Sequence, residues 1–219
     1  NVSLKILPVG FKGRNWLDGV GTNFDTELPL IAKYFDKNYR NKIISNNTAL
    51  NDNAEKIYLE QISKSKDFLE KATRQDFKNY LPEDILVKVD RASMLNSLEM
   101  RSPFLDCDLI EFAFGKVPTS LKSTTSQKKI LLKSLAKKVL PPNFDFERKQ
   151  GFCIPINEWL RKGDFREFFM DVLFDTNCSI NREISQMLFK GQDNGRNNGE
   201  RLFGLVFFEL WRKHYNVSI

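Results

Sequence analysis

Apolar residues along this chain recur every three or four positions far more often than every two, the signature of helices packed on one side. The spacing predicts helices over Leu28–Tyr34, Ala54–Ala72, Glu83–Ser97, Cys107–Phe114, Gln127–Val139, Ile156–Arg161, Phe165–Phe174, Ile184–Lys190 and Glu200–Tyr215. Ile85, Val89, Ala92, Leu95 and Leu98 make one expected buried stripe. Pro82 suits a first helical position, where its missing N–H costs nothing, and Glu83 and Asp84 then complement the helix dipole. In the last helix, Leu202, Leu205, Val206, Glu209 and Leu210 are expected around an aromatic-rich core face with Phe203, Phe207, Phe208 and Trp211. Between the periodic stretches, Asn1–Glu27 reads as irregular, with turns at Gly10, Gly13, Gly19 and Gly21, and GQDNGRNNG at Gly191–Gly199 reads as a flexible loop. Strand signals are scarce and no repeat is evident. The expectation is a mainly α chain forming a single helical domain over residues 1–219.

Where the pattern breaks, chemistry becomes visible. Pro103 disfavours helix at Ser102, so Glu99-Met100-Arg101-Ser102 should leave its helix as an extended strap. Side chains alternate along such a strap, so Glu99 and Arg101 point the same way. A carboxylate and a guanidinium so placed can hold a zwitterionic substrate, since Arg grips carboxylates with two parallel N–H bonds. They can equally lock the strap to its surroundings, and both readings stand. Asp106 looks like the N-cap of the next helix, with Phe104 and Leu105 as architecture. Asp84, Lys88 and Arg91 fall at i, i+4 and i+7, off the apolar stripe; on spacing alone they form a solvated face with weak ion pairs. Lys149 lies in the loop ERKQGFCIP, punctuated by Gly151 and Pro155, and such loops commonly carry chemistry; Arg148 competes with it.

Composition narrows the field. The 41% hydrophobic content and 19 Phe can supply a core for 219 residues. No apolar run approaches the roughly 20 residues of a membrane helix, and no signal peptide opens the chain. Three cysteines, Cys107, Cys153 and Cys178, form no CxxC pair, which suits a reducing cytoplasm. The chain begins at Asn1 without Met, which suggests a piece of a longer protein. A net charge of +6 and a pI near 9.1 raise nucleic-acid binding as a rival function. The one concentration of cations, Lys128, Lys129, Lys133, Lys137 and Lys138, falls at helical spacing beside Ile130, Leu131, Leu132, Leu135 and Val139, as the wet face of an amphipathic helix. No zinc-finger spacing or RNA-motif aromatics accompany it, and no carboxylate cluster, catalytic His or nucleophile elbow offers an independent active site.

Two blocks, LPEDILVKVDRASMLNSLEMRSPFLD at Leu81–Asp106 and ERKQGFCIPINEWLR at Glu147–Arg161, together resemble the C-terminal part of the synthetase domain of glutamine-dependent asparagine synthetases and related amidotransferases. GERLFGLVFFELWRKHY at Gly199–Tyr215 resembles the C-terminal helix of that family. The resemblance is strongest from Asp76 to Arg161. It implies the helical C-terminal portion of an adenine-nucleotide α-hydrolase-like (PP-loop) synthetase domain. The parallel sheet and phosphate loop are largely missing here, because no Ser-Gly-Gly-x-Asp-Ser string occurs. It further implies an ATP-dependent ligase that adenylates a carboxylate, aspartate first, and amidates it with ammonia from glutamine. Lys149 would then be catalytic, with Lys88, Arg91 and Lys149 on ATP and pyrophosphate and Glu99 and Arg101 on the substrate. No metal ligand is assigned within the chain. ATP and Mg2+ belong to the intact enzyme, with none expected on the fragment, which should be inactive alone. Its partners would be the upstream PP-loop half and the glutaminase domain of the parent chain, a small carboxylate substrate, and in one arrangement a second copy. A sugar uronate as acceptor, and a non-catalytic helical interaction or nucleic-acid-binding module, are the alternatives.

Overall fold

In the computed structural model of the chain, residues 7–20, 23, 34–35, 37–44, 53–60, 62, 64–65, 67–146, 148 and 154–219 are described. The helices are α1 (Arg14–Val20), α2 (Lys37–Ile43), α3 (Asn53–Glu60), α4 (Phe68–Gln75), α5 (Val87–Met94), α6 (Cys107–Gly115), α7 (Thr119–Lys122), α8 (Ile130–Val139), α9 (Ile156–Trp159), α10 (Asp164–Phe174), α11 (Arg182–Asp193) and α12 (Gly199–His214). A π-helical segment, Asp76–Leu86, joins α4 to α5. Among the described residues the only β pairing is two isolated bridges, so the chain is mainly α. It divides into two compact units, one made of Asn1–Lys56 and Phe152–Ile219, the other of Ile57–Gly151.

The first unit is organised around α12, against which α9, α10 and α11 pack. Leu202, Leu205, Val206 and Glu209 are buried at i, i+3, i+4 and i+7, one stripe of the helix. Leu202, Leu205 and Val206 join Phe169, Val172 and Leu173 of α10 and Ile184, Leu188 and Phe189 of α11 in one core cluster. Of the aromatics expected on the core face, Phe208 is half-buried and packs against the core, whereas Phe203, Phe207 and Trp211 are exposed, as is Leu210 of the expected aliphatic stripe. The 3.6-residue period turns them outward once the aliphatic stripe faces in. The N-terminal segment is stitched on by an antiparallel bridge between Ile44 and Ile180 and by the Asn181 N–H donating to the Ile43 carbonyl at 2.6 Å.

Gly191–Gly199 is not a free loop. Helix α11 runs on to Asp193, and Gly191, Gln192, Asn198 and Gly199 are buried. The Gln192 side-chain amide donates to the Asn157 carbonyl and its oxygen accepts from the Asn198 N–H; Asn198 Nδ2 donates to the Leu188 carbonyl, and the Gly199 N–H donates to Asn157 Oδ1. Asn198 sits so tightly against Gly10 (φ 83°) and Gly191 that a Cβ at either would collide with its amide. The turn expected at Gly10 is present, while α1 occupies part of the stretch expected to be irregular.

In the second unit the same periodic pattern produces helices without a sealed core. Among its described residues none is buried. Of the expected stripe, Ile85 and Val89 are half-buried, whereas Ala92, Leu95 and Leu98 are exposed, Leu95 at 86%. What unites this unit is an aromatic and polar knot. Phe77 meets Phe114 edge-on at 5.3 Å, and Arg74 and Lys122 lie over the Phe114 ring at 4.9 and 5.2 Å. The helix predicted over Ala54–Ala72 is broken in two. Asp67 caps α4 by accepting from the Glu70 N–H at 2.9 Å, and that bond, with one to Thr119, holds the Asp67 carboxyl below the usual range. The helix expected over Leu28–Tyr34 lies almost wholly outside the described residues.

Candidate functional site

Of the residues singled out for chemistry, Lys88 and Arg91 sit on the rod that begins at Phe68. Its start is encoded by Asp67-x-x-Glu70, a capping pattern in which Glu70 is further held by the Ser65 hydroxyl at 2.6 Å and Arg74 at 2.8 Å. The rod passes through Pro82 rather than starting there, since Pro82 lies inside the π segment. A proline in an α-helix clashes with the carbonyl four residues back and lacks the N–H that would bond it. The wider π turn relieves that conflict and carries the helix on into α5. Glu83 and Asp84 are therefore mid-rod, and their expected first-turn role is corrected.

Lys88 and Arg91, three residues apart on α5, lie about 60° apart around the helix. Lys88 Nζ stands 4.0 Å from Asp84 Oδ1, and Arg91 Nε stands 3.6 Å from Asp90 Oδ2. Both pairs are long and well exposed, so each contributes little to stability and yields readily to a stronger anion. Helix α5 closes at a left-handed Ser97 (φ 56°), with the Leu98 N–H bonded to the Ser93 carbonyl and the Ser97 N–H to Met94, a Schellman motif. The helix thus closes at the end of the Glu83–Ser97 stretch expected for it, through a left-handed cap that lies ahead of Pro103.

Beyond this cap the strap is extended, as expected, with Ser102 at φ −109°, ψ 94°. Glu99 and Arg101 do face each other: Arg101 Nε donates to Glu99 Oε1 at 2.9 Å, and both side chains are exposed. One bond through Nε leaves the outer edge of the guanidinium turned to solvent, able to take a carboxylate. Asp106 caps α6 by accepting from the Leu109 N–H at 3.2 Å. Lys149 lies outside the described residues; its neighbour Arg148 is exposed and donates its backbone N–H to Asp145 Oδ1 at 3.0 Å. Among the described residues no group of three or more His, Cys, Asp or Glu side chains could hold a metal ion, and no helix is long and apolar enough to cross a membrane.

Sequence reasoning passed over one electrostatic centre. Glu209 is fully buried and accepts from Arg212 Nη2 at 2.6 Å, Arg212 Nε at 3.0 Å and the Ser179 hydroxyl at 2.8 Å. Burial pushes its carboxyl up, but these bonds outweigh burial and leave it below the usual glutamate range. Arg212 also donates to the carbonyls of Asn177 and Val217, tying the chain's end to the α10–α11 connection. Glu209 and Arg212 at i, i+3, with Glu209 on the apolar stripe, were the available signal.

Three comparisons bear on this arrangement. The family model described as asparagine synthase matches residues 15–213. The chain is 27% identical over 212 residues to asparagine synthetase (glutamine-hydrolyzing) 1 of Bacillus subtilis, covering 94% of this chain and 33% of that protein. It is 31% identical over 139 residues to putative asparagine synthetases (glutamine-hydrolyzing) of Mycobacterium bovis and Mycobacterium tuberculosis, covering 62% of this chain and 21% of those proteins. The chain therefore spans a third or less of the length of these curated relatives. No solved structure matches.

Proposed function

Because this chain belongs to the asparagine synthase family, we propose that it supplies the C-terminal helical part of an ATP-dependent, glutamine-hydrolysing amidotransferase. The observation that carries the proposal is the family match over residues 15–213, which includes every singled-out residue. In the reaction, a carboxylate oxygen of the acceptor attacks the α-phosphorus of ATP and the bond to pyrophosphate breaks. Ammonia released from glutamine then attacks the acyl carbon, AMP leaves with the bonding pair, and the nitrogen gives up a proton to form the amide. Aspartate is the acceptor proposed, on the printed names of the relatives, and asparagine the product.

The chain's own residues divide this work by charge. Lys149 places an ammonium against the charge that gathers on the α-phosphate and departing pyrophosphate, where a preorganised cation is most effective. Lys88 and Arg91, held only by loose exposed pairs, neutralise the polyphosphate. Arg101 takes the acceptor's carboxylate while Glu99 takes its ammonium, the two already aligned by their own hydrogen bond. The described residues offer no site for Mg2+, and no step is assigned to the ion. The chain by itself is proposed to be inactive, and its working compartment the cytoplasm.

The test is made on the full-length protein in which these residues occur. Asparagine formed from aspartate, glutamine and ATP is measured together with pyrophosphate. Lys149→Ala should lower turnover by roughly a hundred- to a thousandfold with an unchanged thermal midpoint, the effect of losing one transition-state donor. Lys149→Arg should restore only part of it, since a planar fork replaces a compact ammonium. Pyrophosphate release dependent on a sugar uronate but not on aspartate would replace the acceptor. Absence of any ATP-dependent amidation would remove the catalytic reading.

A further inference from the structure

The chain holds two Asn-Gly dipeptides, Asn194-Gly195 and Asn198-Gly199, and the fold sets them in opposite surroundings. Asn194 and Gly195 form the exposed turn that ends α11. Among the described residues the Asn194 side chain has no hydrogen-bond partner. A Cβ added at Gly195 (φ 76°) would meet nothing within 4 Å. The amide between the two residues is held by a single backbone bond, from the Gly195 N–H to the Gln192 carbonyl at 3.0 Å. Asn198 and Gly199, by contrast, are buried. There Asn198 Nδ2 donates to the Leu188 carbonyl at 3.0 Å and the Gly199 N–H to Asn157 Oδ1 at 3.0 Å. The Asn198 carbonyl accepts the Leu202 N–H at 2.9 Å, the bond that opens α12.

We propose that Asn194 is a site of covalent self-modification, deamidating through a cyclic imide to aspartate and isoaspartate, while the fold keeps Asn198 intact. The Gly195 backbone nitrogen loses its proton to hydroxide and attacks Asn194 Cγ. The N–Cγ bond forms, the Cγ–Nδ2 bond breaks, and Nδ2 leaves as ammonia with a proton from water. Water then opens the imide. Addition at Cγ breaks the new N–Cγ bond and leaves aspartate; addition at the α-carbonyl breaks the original peptide bond and routes the backbone through the side chain, as isoaspartate. Glycine favours the attack because no Cβ shields its nitrogen. The attack also requires rotation about ψ of the asparagine. At Asn194 (ψ 18°) that rotation breaks only a solvent-exposed bond in a terminal turn, where local opening costs least. At Asn198 (ψ 3°) it would break the Leu188, Asn157 and Leu202 bonds, in a site where a Cβ at Gly10 or Gly191 already collides with the amide. Buried groups stripped of partners in this way carry their full desolvation penalty. The two products differ in consequence. Aspartate adds a charge beside Asp193, which Arg166 already holds at 2.9 Å. Isoaspartate lengthens the backbone between Gly191 and Asn198, both fixed by packing, and so loosens the amide network. None of this depends on the proposed function.

The experiment incubates the full-length protein in which these residues occur in heavy-oxygen water at mildly alkaline pH, both native and unfolded in guanidinium chloride. After transfer to ordinary water, trypsin cleaves behind Lys190, Arg196 and Arg201, so the dipeptides fall into separate peptides, GQDNGR and NNGER. Mass spectrometry reads the heavy oxygen that each gains, and chromatography separates aspartate from isoaspartate. In the native protein Asn194 should convert at least about tenfold faster than Asn198, which must wait for the buried network to open. Unfolded, the two should convert at comparable rates. Native Asn194 converting as slowly as native Asn198 overturns the proposal, whether the turn resists opening or another part of the protein covers it. Native Asn198 keeping pace with Asn194 overturns it as well, because the fold then protects neither. The isolated isoaspartyl form should exchange its amide hydrogens over Gln192–Gly199 faster than the unmodified protein. Equal exchange in both forms would overturn the link between this modification and the amide network.

Discussion

Helices α10–α12 and helices α4–α8 are written in the same apolar periodicity and reach different ends. In the first set, stripes on three helices converge, and Leu173, Leu188 and Leu202 are almost wholly removed from water. In the second, Leu95, Leu98, Leu135 and Val139 occupy positions that the period marks as internal and remain exposed. The second set is held instead by a surface-accessible knot of Phe77, Phe114, Arg74 and Lys122 and by end caps at Asp67, Ser97 and Asp106. Periodicity therefore specifies which face of a helix is apolar. Whether that face becomes a core depends on a second face arriving to meet it.

The sharpest way to break this comparison is to place a carboxylate in each set. Leu188→Asp puts an unpaired charge into a site with no exposure and should cost several kcal/mol, enough to abolish cooperative unfolding. Leu95→Asp in the chain as it stands should change stability by no more than about 0.5 kcal/mol, as a surface substitution does. Denaturant midpoints measured side by side decide it; equal losses would mean that Leu95 is not on an open face.

Next in size is the buried ion pair. Arg212→Ala leaves the Glu209 carboxylate uncompensated and should cost about 3–5 kcal/mol by thermal melt. The pH dependence follows from the direction of the shift. A carboxyl depressed in the folded state contributes its full stability above the unfolded value of 4.5 and loses it as pH falls through the folded pKa. Melting should therefore weaken as pH falls below 4.5, and Glu209→Gln should flatten that acid limb. An unchanged acid limb in the variant would show that the pair does not govern it.

A smaller effect sharpens the contrast at the Asn198 knot. Gly191→Ala would place a Cβ 2.5 Å from Asn198 Nδ2, and the buried amide has little room to move, so a loss of about 1–3 kcal/mol is expected from equilibrium unfolding. Gly115, in α6, has nothing within 4 Å of its added Cβ, and Gly115→Ala should leave stability the same or slightly higher. Smallest of all, Lys88→Ala and Arg101→Ala break exposed pairs and should each shift stability by less than about 1 kcal/mol. Activity in the full-length protein, not melting, is where these two should register.

The candidate site was legible to an uneven degree. The strap, the facing of Glu99 and Arg101 and the Asp106 cap followed from Pro103, strap alternation and the following apolar run, all local rules acting over a few residues. Lys149 was singled out from its loop and from a family resemblance, and it falls outside the described residues. Pro82 was misassigned because proline ordinarily opens a helix, and a π turn that carries the rod through it leaves no residue-type signal.

What the sequence determined by itself was the helical class, most helix positions and the family, because backbone propensity, side-chain period and motif order are properties of neighbouring residues. Tertiary structure decided what those helices do with their faces. It turned Phe203, Phe207 and Trp211 outward, since only one stripe of α12 can face α10 and α11. It converted a Gly- and Asn-rich stretch expected to be flexible into a buried amide network, since Asn157 brings acceptors to it from a distant point in the chain and Leu188 supplies another from the preceding helix. It also left Leu131, Leu132, Leu135 and Val139 of α8 exposed, because burial belongs to pairs of surfaces and no single segment contains both.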